Sequence, residues 1–139
     1  MPIDVCSAAA GVFIVDQVTK ALVVRRCPPD CGDTRWPVWL RPVACRGWGF
    51  RVVPPPLLLL IWMLAALQIV ILTGAGGSLD SALGRWGLGA ALGGAAANFV
   101  DSSLRGAVVD FIDLAIWPTF NLADVAIVGG LACGLWSML

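Results

Sequence analysis

The chain has 139 residues, of which 59% are hydrophobic and 13% are charged, and its nine basic residues balance its nine acidic ones. This length suits a single domain over residues 1–139, but so apolar a composition predicts that the domain lies in a membrane, and the balanced charge favours no nucleic-acid partner. Because the chain has no His, imidazole catalysis and His-based zinc sites are excluded. We expect chemistry from Asp, Lys, Ser or Cys, without a metal or a cofactor.

Four apolar stretches approach the roughly 20 residues that a helix needs to cross about 30 Å of hydrocarbon. They cover residues 5–24, 57–73, 83–100 and 120–139. We therefore expect a mainly α integral membrane protein with four transmembrane helices. No Lys or Arg precedes the first stretch, and Asp16, Gln17 and Lys20 lie in its second half. These features predict a retained helix rather than a cleaved signal peptide.

The polar segment between the first two stretches, residues 25–56, contains short strand-like runs at 36–40 and 50–53. The runs and their Trp residues predict a small extracytoplasmic β-rich loop region at the bilayer surface. A second polar loop, residues 101–119, is expected on the same side. Six Arg in the first loop argue for the opposite orientation, because the positive-inside rule would place both large loops in the cytoplasm.

Small residues recur at four-residue spacing in the third and fourth stretches, at Gly89 and Gly93 and at Gly130 and Gly134. This spacing lets helices approach closely in lipid. Because such matches arise easily in an Ala- and Gly-rich chain, we expect packing within one chain, and hence a monomer, rather than dimerisation.

The five cysteines allow one local disulfide. Cys27 and Cys31 lie close together in the first polar loop and can pair if that loop is outside the cytoplasm, although an odd total fixes no connectivity. Cys6 and Cys133 are expected to be unpaired thiols.

Two ionisable residues lie inside the first apolar stretch, where charge is costly and therefore indicates function. Asp16 and Lys20 are four residues apart on one helix face, so they can act as an acid and a base or form a structural salt bridge. A Ser/Lys peptidase that uses Ser102 or Ser103 with Lys20 is disfavoured, because Lys20 already has Asp16 as a helical partner.

An Asn-x-x-Asp pattern occurs twice, with Asn98 and Asp101 ending the third stretch and Asn121 and Asp124 beginning the fourth. This spacing places amide and carboxylate on the same helix face. Between the two motifs, Asp110 lies in an apolar, strand-like run. If this loop folds back, Asp110 and Asp124 converge where the membrane meets water.

Two carboxylates that converge in this way share a proton, as aspartic peptidases require. The ionised member takes a proton from the attacking water, and the protonated member donates to the carbonyl oxygen or the leaving amine. Alternatively, Asp124 only complements a helix dipole and Asp110 is a solvated loop residue. Asp101 and Asp113 are equally eligible for the pair, and composition does not choose among them.

Four runs of this sequence together resemble the lipoprotein signal peptidase (signal peptidase II) family, in the family's order and over nearly the whole chain. They are DQVTK at 16–20, GGAAANFVD at 93–101, GAVVDF at 106–111 and FNLAD at 120–124. The resemblance implies a membrane aspartyl endopeptidase that removes signal peptides from diacylglyceryl-modified prolipoproteins by cutting before the lipidated Cys. Its implied partners are the lipidated prolipoprotein and membrane phospholipids.

The resemblance also implies the place of the site and the roles of its residues. The family's catalytic aspartates fall on Asp110 and Asp124, and the implied supporting or substrate-binding residues are Asp16, Lys20, Asn98, Asp101, Arg105 and Asn121. Family topology predicts the bacterial cytoplasmic (inner) membrane, with the active site near its outer face. We follow this orientation over the Arg count, since the site has to meet substrate there and loop Arg can bind headgroup phosphates.

Two departures mark the chain as a divergent member. Residues 44–50 (ACRGWGF) stand where the family usually has an Asn followed by Gly and small residues. Ser102 stands where it usually has an Arg, and Arg105 is the candidate replacement. These losses favour an alternative, a non-proteolytic paralogue that binds lipopeptides or family inhibitors, whereas retention of Asp110 and Asp124 favours the peptidase.

Overall fold

The computed structural model describes residues 3–26, 40–45, 60, 62–63, 67, 81–106, 108–114, 116 and 118–137. These residues are mainly helical. They form α1 (Ile3–Arg26), β1 (Leu40–Cys45), α2 (Ala82–Arg105), β2 (Val108–Ile112) and α3 (Leu122–Trp136). Of the expected second span, four positions are described and all are helical. The Cys27 and Cys31 pair and the run at 50–53 lie outside the described residues.

The helix α1 has the surface of a helix in lipid. Its exposed side chains include Ile14, Val15 and Val18, whereas Asp16 and Lys20 are fully buried. This distribution reverses that of a water-soluble helix, which buries apolar groups and exposes charged ones. Among the described helices, α1 is the one with sufficient length and apolar character to cross a membrane, and α3 is apolar but shorter, with 15 residues.

The first two long helices run in the same direction. Near their starts, Arg85 Nε of α2 lies 2.8 Å from Asp4 Oδ2 of α1. Near their ends, Lys20 Nζ of α1 lies 2.7 Å from Asp101 Oδ2 of α2. The helix α3 runs in the opposite direction, because its start packs beside the end of α2. The end of α1 and the start of α2 therefore lie at opposite ends of the bundle.

Glycines of α2 let the neighbouring backbones come close. A Cβ on Gly89 would lie 2.5 Å from the carbonyl oxygen of Val5 in α1, and one on Gly94 would lie 2.5 Å from that of Ala123 in α3. Real Cβ atoms do not approach that closely. The expectation of packing within the chain is confirmed for both small-residue motifs, because Gly89 and Gly93 pack against α1 and Gly130 and Gly134 pack against α2.

The end of α2 lies beyond the predicted apolar stretch. The helix begins at the cap Ser81, whose side chain accepts from the Gly84 N–H at 3.0 Å. It ends at Gly106, which adopts a left-handed conformation with φ 69° and is well suited to do so because it has no Cβ. Residues 101–105 were expected to open a loop but are helical, because hydropathy marks the lipid boundary and not the helix end.

A two-stranded antiparallel sheet follows at the end of the bundle where α2 terminates. The strand-like run around Asp110 is confirmed as β2, which pairs with β1 so that Val43 lies opposite Asp110. The strand β1 begins at Leu40, where the run 36–40 was expected to end. Alternate residues Val109 and Phe111 are buried, and Asp110 between them therefore points to the other face of the sheet.

Candidate active site

The start of α3 is a capping box built from the second Asn-x-x-Asp motif. Asn121 Oδ1 accepts from the backbone N–H of Asp124 at 2.9 Å, and Asp124 Oδ2 accepts from the backbone N–H of Asn121 at 3.1 Å. The box satisfies backbone donors that the first turn of a helix leaves without partners. It thereby fixes the orientation of both side chains relative to α3.

The strand β2 brings Asp110 to this capping box. Backbone hydrogen bonds between Ile112 and Phe120 hold the segment before α3 against β2, with N···O distances of 2.9 and 3.1 Å. In this arrangement Asn121 Nδ2 donates to Asp110 Oδ1 at 2.7 Å. Asp110 and Asp124, the pair expected to converge, are thus both bound by Asn121.

The helix α2 adds a second amide to the pair. Asn98 Nδ2 donates to Asp124 Oδ1 at 2.8 Å, and Asn98 Oδ1 accepts from Asn121 Nδ2 at 3.1 Å. Both amides are almost fully buried. The two carboxylates are therefore joined by a continuous path of hydrogen bonds through two Asn side chains.

An ion cluster lies behind the Asn residues, between α1 and α2. Lys20 Nζ is 2.7 Å from Asp16 Oδ2, 2.7 Å from Asp101 Oδ2 and 2.9 Å from Asn98 Oδ1. The ions Asp16, Lys20 and Asp101 are all fully buried. Arg105 Nη1 contacts Asp101 Oδ1, so two positive charges face two negative ones.

Two members of this polar network were not assigned a role from the sequence. Gln17 Nε2 donates to Asp101 Oδ1 at 3.1 Å, and the backbone N–H of Ala123 donates to Asp16 Oδ1 at 2.9 Å. The position of Gln17 beside Asp16, in an otherwise apolar helix, is a sequence signal for such a role. The Ala123 N–H is a backbone group, so no residue type in the sequence indicates its role.

An apolar cavity of about 520 Å³ opens beside Asp124. Asp124 is the one charged side chain among its described lining residues, which are Leu114, Phe120, Asp124, Val125, Val128 and Gly129. A carboxylate at the wall of an apolar cavity can act on a polar bond whose neighbouring groups are apolar. Among the described residues, no cluster of three or more Cys and Asp side chains suits a metal ion.

A model of the signal peptidase (SPase) II family matches residues 8–139. The chain belongs to this family. It is 37% identical over 139 positions to a lipoprotein signal peptidase of Mycobacterium avium, with 89% of the chain and 72% of the relative covered. It is 35% identical over 138 positions to a lipoprotein signal peptidase of Pelotomaculum thermopropionicum, with 94% and 88% covered.

Two solved structures, both described as bacterial membrane enzymes determined by the in meso method, share the fold of this signal peptidase II family member. The structure at 2.3 Å gives a TM-score of 0.78 at 22% identity and covers 96% of this chain and 86% of its own. The structure at 1.9 Å gives 0.76 at 24% identity and covers 97% and 92%. The fold and the family together indicate an integral membrane protein.

The structure distinguishes among the aspartates that the sequence left equally eligible for the catalytic pair. Asp101 belongs to the ion cluster with Lys20, whereas Asp110 and Asp124 meet at the capping box. Asp113 follows the end of β2. Arg105, the candidate replacement for the family's Arg, is bound to Asp101. Cys6 and Cys133 are free thiols, as expected.

Proposed function

We propose that the chain is an aspartic-type lipoprotein signal peptidase that cuts diacylglyceryl-modified prolipoproteins before the lipidated Cys. The observation that carries this proposal is the meeting of Asp110 and Asp124 at Asn121, beside an apolar cavity. A pair of carboxylates supplies both the base and the acid that peptide hydrolysis needs. The family membership supplies the substrate class.

The hydrogen bonds support different roles for the two carboxylates. Both oxygens of Asp124 accept an N–H, from Asn98 and from the Asn121 backbone. These hydrogen bonds fix the orientation of the Asp124 carboxylate. We propose Asp124 as the base and Asp110 as the acid.

The reaction then proceeds without a cofactor. Asp124 takes a proton from water as the water oxygen bonds to the peptide carbonyl carbon, and Asp110 donates its proton to the carbonyl oxygen. As the C–N bond breaks, the proton on Asp124 passes to the leaving amine. Asp110 recovers a proton from a hydroxyl of the intermediate, which becomes the new carboxyl group. Atoms and charges balance, and the pair returns to its starting state.

The cavity beside Asp124 suits the lipid of the substrate. The scissile bond precedes the lipidated Cys, so the diacylglyceryl chains lie next to the carbonyl that Asp124 must reach. Phe120, Val125 and Val128 offer these chains an apolar wall, which gains free energy from burying hydrocarbon.

Four transmembrane spans belong to the same proposal. The helices α1 and α2 are parallel, so the chain between them crosses back, and the apolar stretch 57–73 has the length to do so. The carboxylates, the sheet and the ends of α1 and α2 share one end of the bundle. We place that end at the outer face of the bacterial cytoplasmic membrane, where loop Arg bind phospholipid headgroups, and we propose a monomer.

Cleavage of a diacylglyceryl-modified prolipoprotein by the purified full-length chain in detergent tests the function. Mass spectrometry should find a product that begins at the lipidated Cys, and the unlipidated precursor should not be cut. A chain that binds the lipopeptide without cutting it would instead be the non-proteolytic paralogue, which Ser102 and the binding of Arg105 by Asp101 favour.

A further inference from the structure

The amide of Asn98 faces an ammonium on one side and a carboxylate on the other. Its Oδ1 is 2.9 Å from Lys20 Nζ, and its Nδ2 is 2.8 Å from Asp124 Oδ1. We infer that Lys20 is a positioning residue, which holds the N–H end of Asn98 against Asp124 and thereby presents a donor rather than an acceptor to the proposed base. This inference rests on the proposed function and deepens it, because the described contacts of Lys20 are with Asp16, Asp101 and Asn98 rather than with either carboxylate of the pair.

The direction of the Asn98 amide follows from the chemistry of its neighbours. A side-chain amide has an acceptor end and a donor end, which a half-turn exchanges. An ammonium has three N–H groups and no acceptor, so only the oxygen end can face Lys20. The nitrogen end must then face Asp124. A reversed amide would place two N–H donors against Lys20 and an oxygen against a carboxylate.

The second amide reinforces the same direction. Asn121 Oδ1 already accepts from the backbone N–H of Asp124 at 2.9 Å, so its Nδ2 is the end that faces Asn98. Asn98 Oδ1 therefore receives donors from both Lys20 and Asn121. The ammonium contributes the charge-assisted hydrogen bond of the two, which is roughly twice as strong as a neutral one.

A structural salt bridge alone does not account for the position of Lys20. Arg105 and Gln17 already bind Asp101, and the Ala123 N–H already binds Asp16. A buried ion pair also stabilises a fold little, because desolvating the ions offsets their attraction. The Lys20 ammonium also donates a hydrogen bond to Asn98, a contact that its pairing with the two carboxylates does not require.

The pH dependence of cleavage separates this positioning role from simple charge. The charged groups around Asp124 come from β2, α1 and α2, and they are Asp110, Asp16, Lys20, Asp101 and Arg105. We choose the variant Asp16→Asn/Lys20→Met/Asp101→Asn, in which each new amide can still accept from its former N–H donors. This change removes a net charge of −1, which by Coulomb interaction alone moves the acidic limb of the kcat profile to lower pH.

Loss of the Lys20 donor has the opposite effect. The Asn98 oxygen then keeps only the weaker, neutral donor Asn121, so the amide turns this oxygen toward Asp124 more readily and withdraws an N–H from the proposed base. We expect kcat on the acidic limb to fall by about tenfold, so that the limb lies at higher pH, with KM little changed. An acidic limb that moves down or stays in place would overturn the inference.

The variant Asn98→Ala provides the matched control. It removes the donor directly, so on its own it should raise the acidic limb. In the Asn98→Ala background the triple exchange should no longer raise the limb. Size-exclusion chromatography and thermal unfolding in detergent show whether the triple variant folds. If it does not fold, the single variant Asn98→Ala tests the inference. An acidic limb that is unchanged in Asn98→Ala would contradict the inference. Failure of the wild type to cleave would instead reject the proposed function.

Discussion

Asp16 Oδ1 in α1 accepts a hydrogen bond from the backbone N–H of Ala123 at 2.9 Å, although the two residues are 107 positions apart. Ala123 belongs to the first turn of α3, whose N–H groups have no partner within the helix. The bond therefore attaches the first helix to the turn that carries Asp124. The negative charge of Asp16 also lies at the positive end of the α3 dipole.

This attachment predicts different effects for two substitutions of Asp16. Asp16→Asn keeps an oxygen that can accept from Ala123, whereas Asp16→Ala leaves that buried N–H without a partner. An unsatisfied buried donor costs about 1–3 kcal/mol. We expect Asp16→Ala to lower the unfolding temperature in detergent clearly more than Asp16→Asn. Equal effects would mean that the carboxylate acts only as a counter-ion of Lys20.

The proposed carboxylate pair makes a sharp prediction for activity. Asp110→Asn and Asp124→Asn should each reduce kcat by at least about 10³-fold, because each removes half of a coupled acid and base. The double variant should be no worse than either single one. Thermal unfolding in detergent should show that all three remain folded.

Asp113→Asn is the matched control for the pair, since Asp113 follows the same strand and has no assigned role. It should retain most of the activity. Loss of activity at Asp113 together with retention at Asp110 would move the catalytic assignment.

The helices and β2 could be predicted because their signals are local. Apolar run lengths indicate helices, and the two Asn-x-x-Asp motifs indicate which side chains share a helix face. The Asp16 to Ala123 bond could not be predicted, because every helix start offers unpaired N–H groups and only packing selects the partner. The end of α2 was missed by five residues, because residues 101–105 are polar yet helical up to Gly106. The catalytic roles of Asp110 and Asp124 stay predictions.

The close contact at Gly94 predicts a link between packing and activity. A Cβ there would lie 2.5 Å from the carbonyl oxygen of Ala123 and 3.1 Å from Ile127 Cγ1. Gly94→Ala should therefore push the start of α3, with Asp124, away from α2. We expect a lower unfolding temperature and a lower kcat.

Gly11→Ala is the control for Gly94→Ala, because a Cβ on Gly11 meets nothing within 4 Å. Alanine is a better helix former than glycine by about 1 kcal/mol, so Gly11→Ala should be neutral or slightly stabilising. A similar loss of unfolding temperature and kcat in both variants would show that helix flexibility matters, rather than the close approach of α2 and α3 at Gly94.

Ser102 offers a test of the divergence from the family. Its hydroxyl donates to the Asn98 carbonyl oxygen one helical turn earlier, at 3.0 Å, a contact that contributes little to stability. Ser102→Arg should restore a guanidinium that can bind several oxygens of the substrate at once. We expect a higher kcat/KM on a lipidated prolipoprotein, with a smaller gain for Ser102→Lys. No gain from Ser102→Arg would show that the chain does not need this guanidinium.

The orientation of the bundle brings two physical arguments into conflict. Six Arg in residues 25–56 favour a cytoplasmic location for the end that carries Asp110 and Asp124. The proposed substrate requires that end at the outer face. The charge rule biases insertion without determining it, whereas a peptidase has no turnover unless its carboxylates reach the scissile bond. We therefore expect the substrate to decide the orientation.

Exposed residues at the two ends of the bundle allow this orientation to be measured. Leu104 and Ile116 lie at the carboxylate end and are 82% and 92% exposed, and Ile3 lies at the opposite end and is 85% exposed. In a cysteine-free background, a membrane-impermeant maleimide should label Leu104→Cys and Ile116→Cys in intact cells. It should label Ile3→Cys only after the cells are permeabilised. The reverse pattern would place the carboxylates in the cytoplasm, as the Arg count favours, and would remove the proposed access to translocated prolipoproteins.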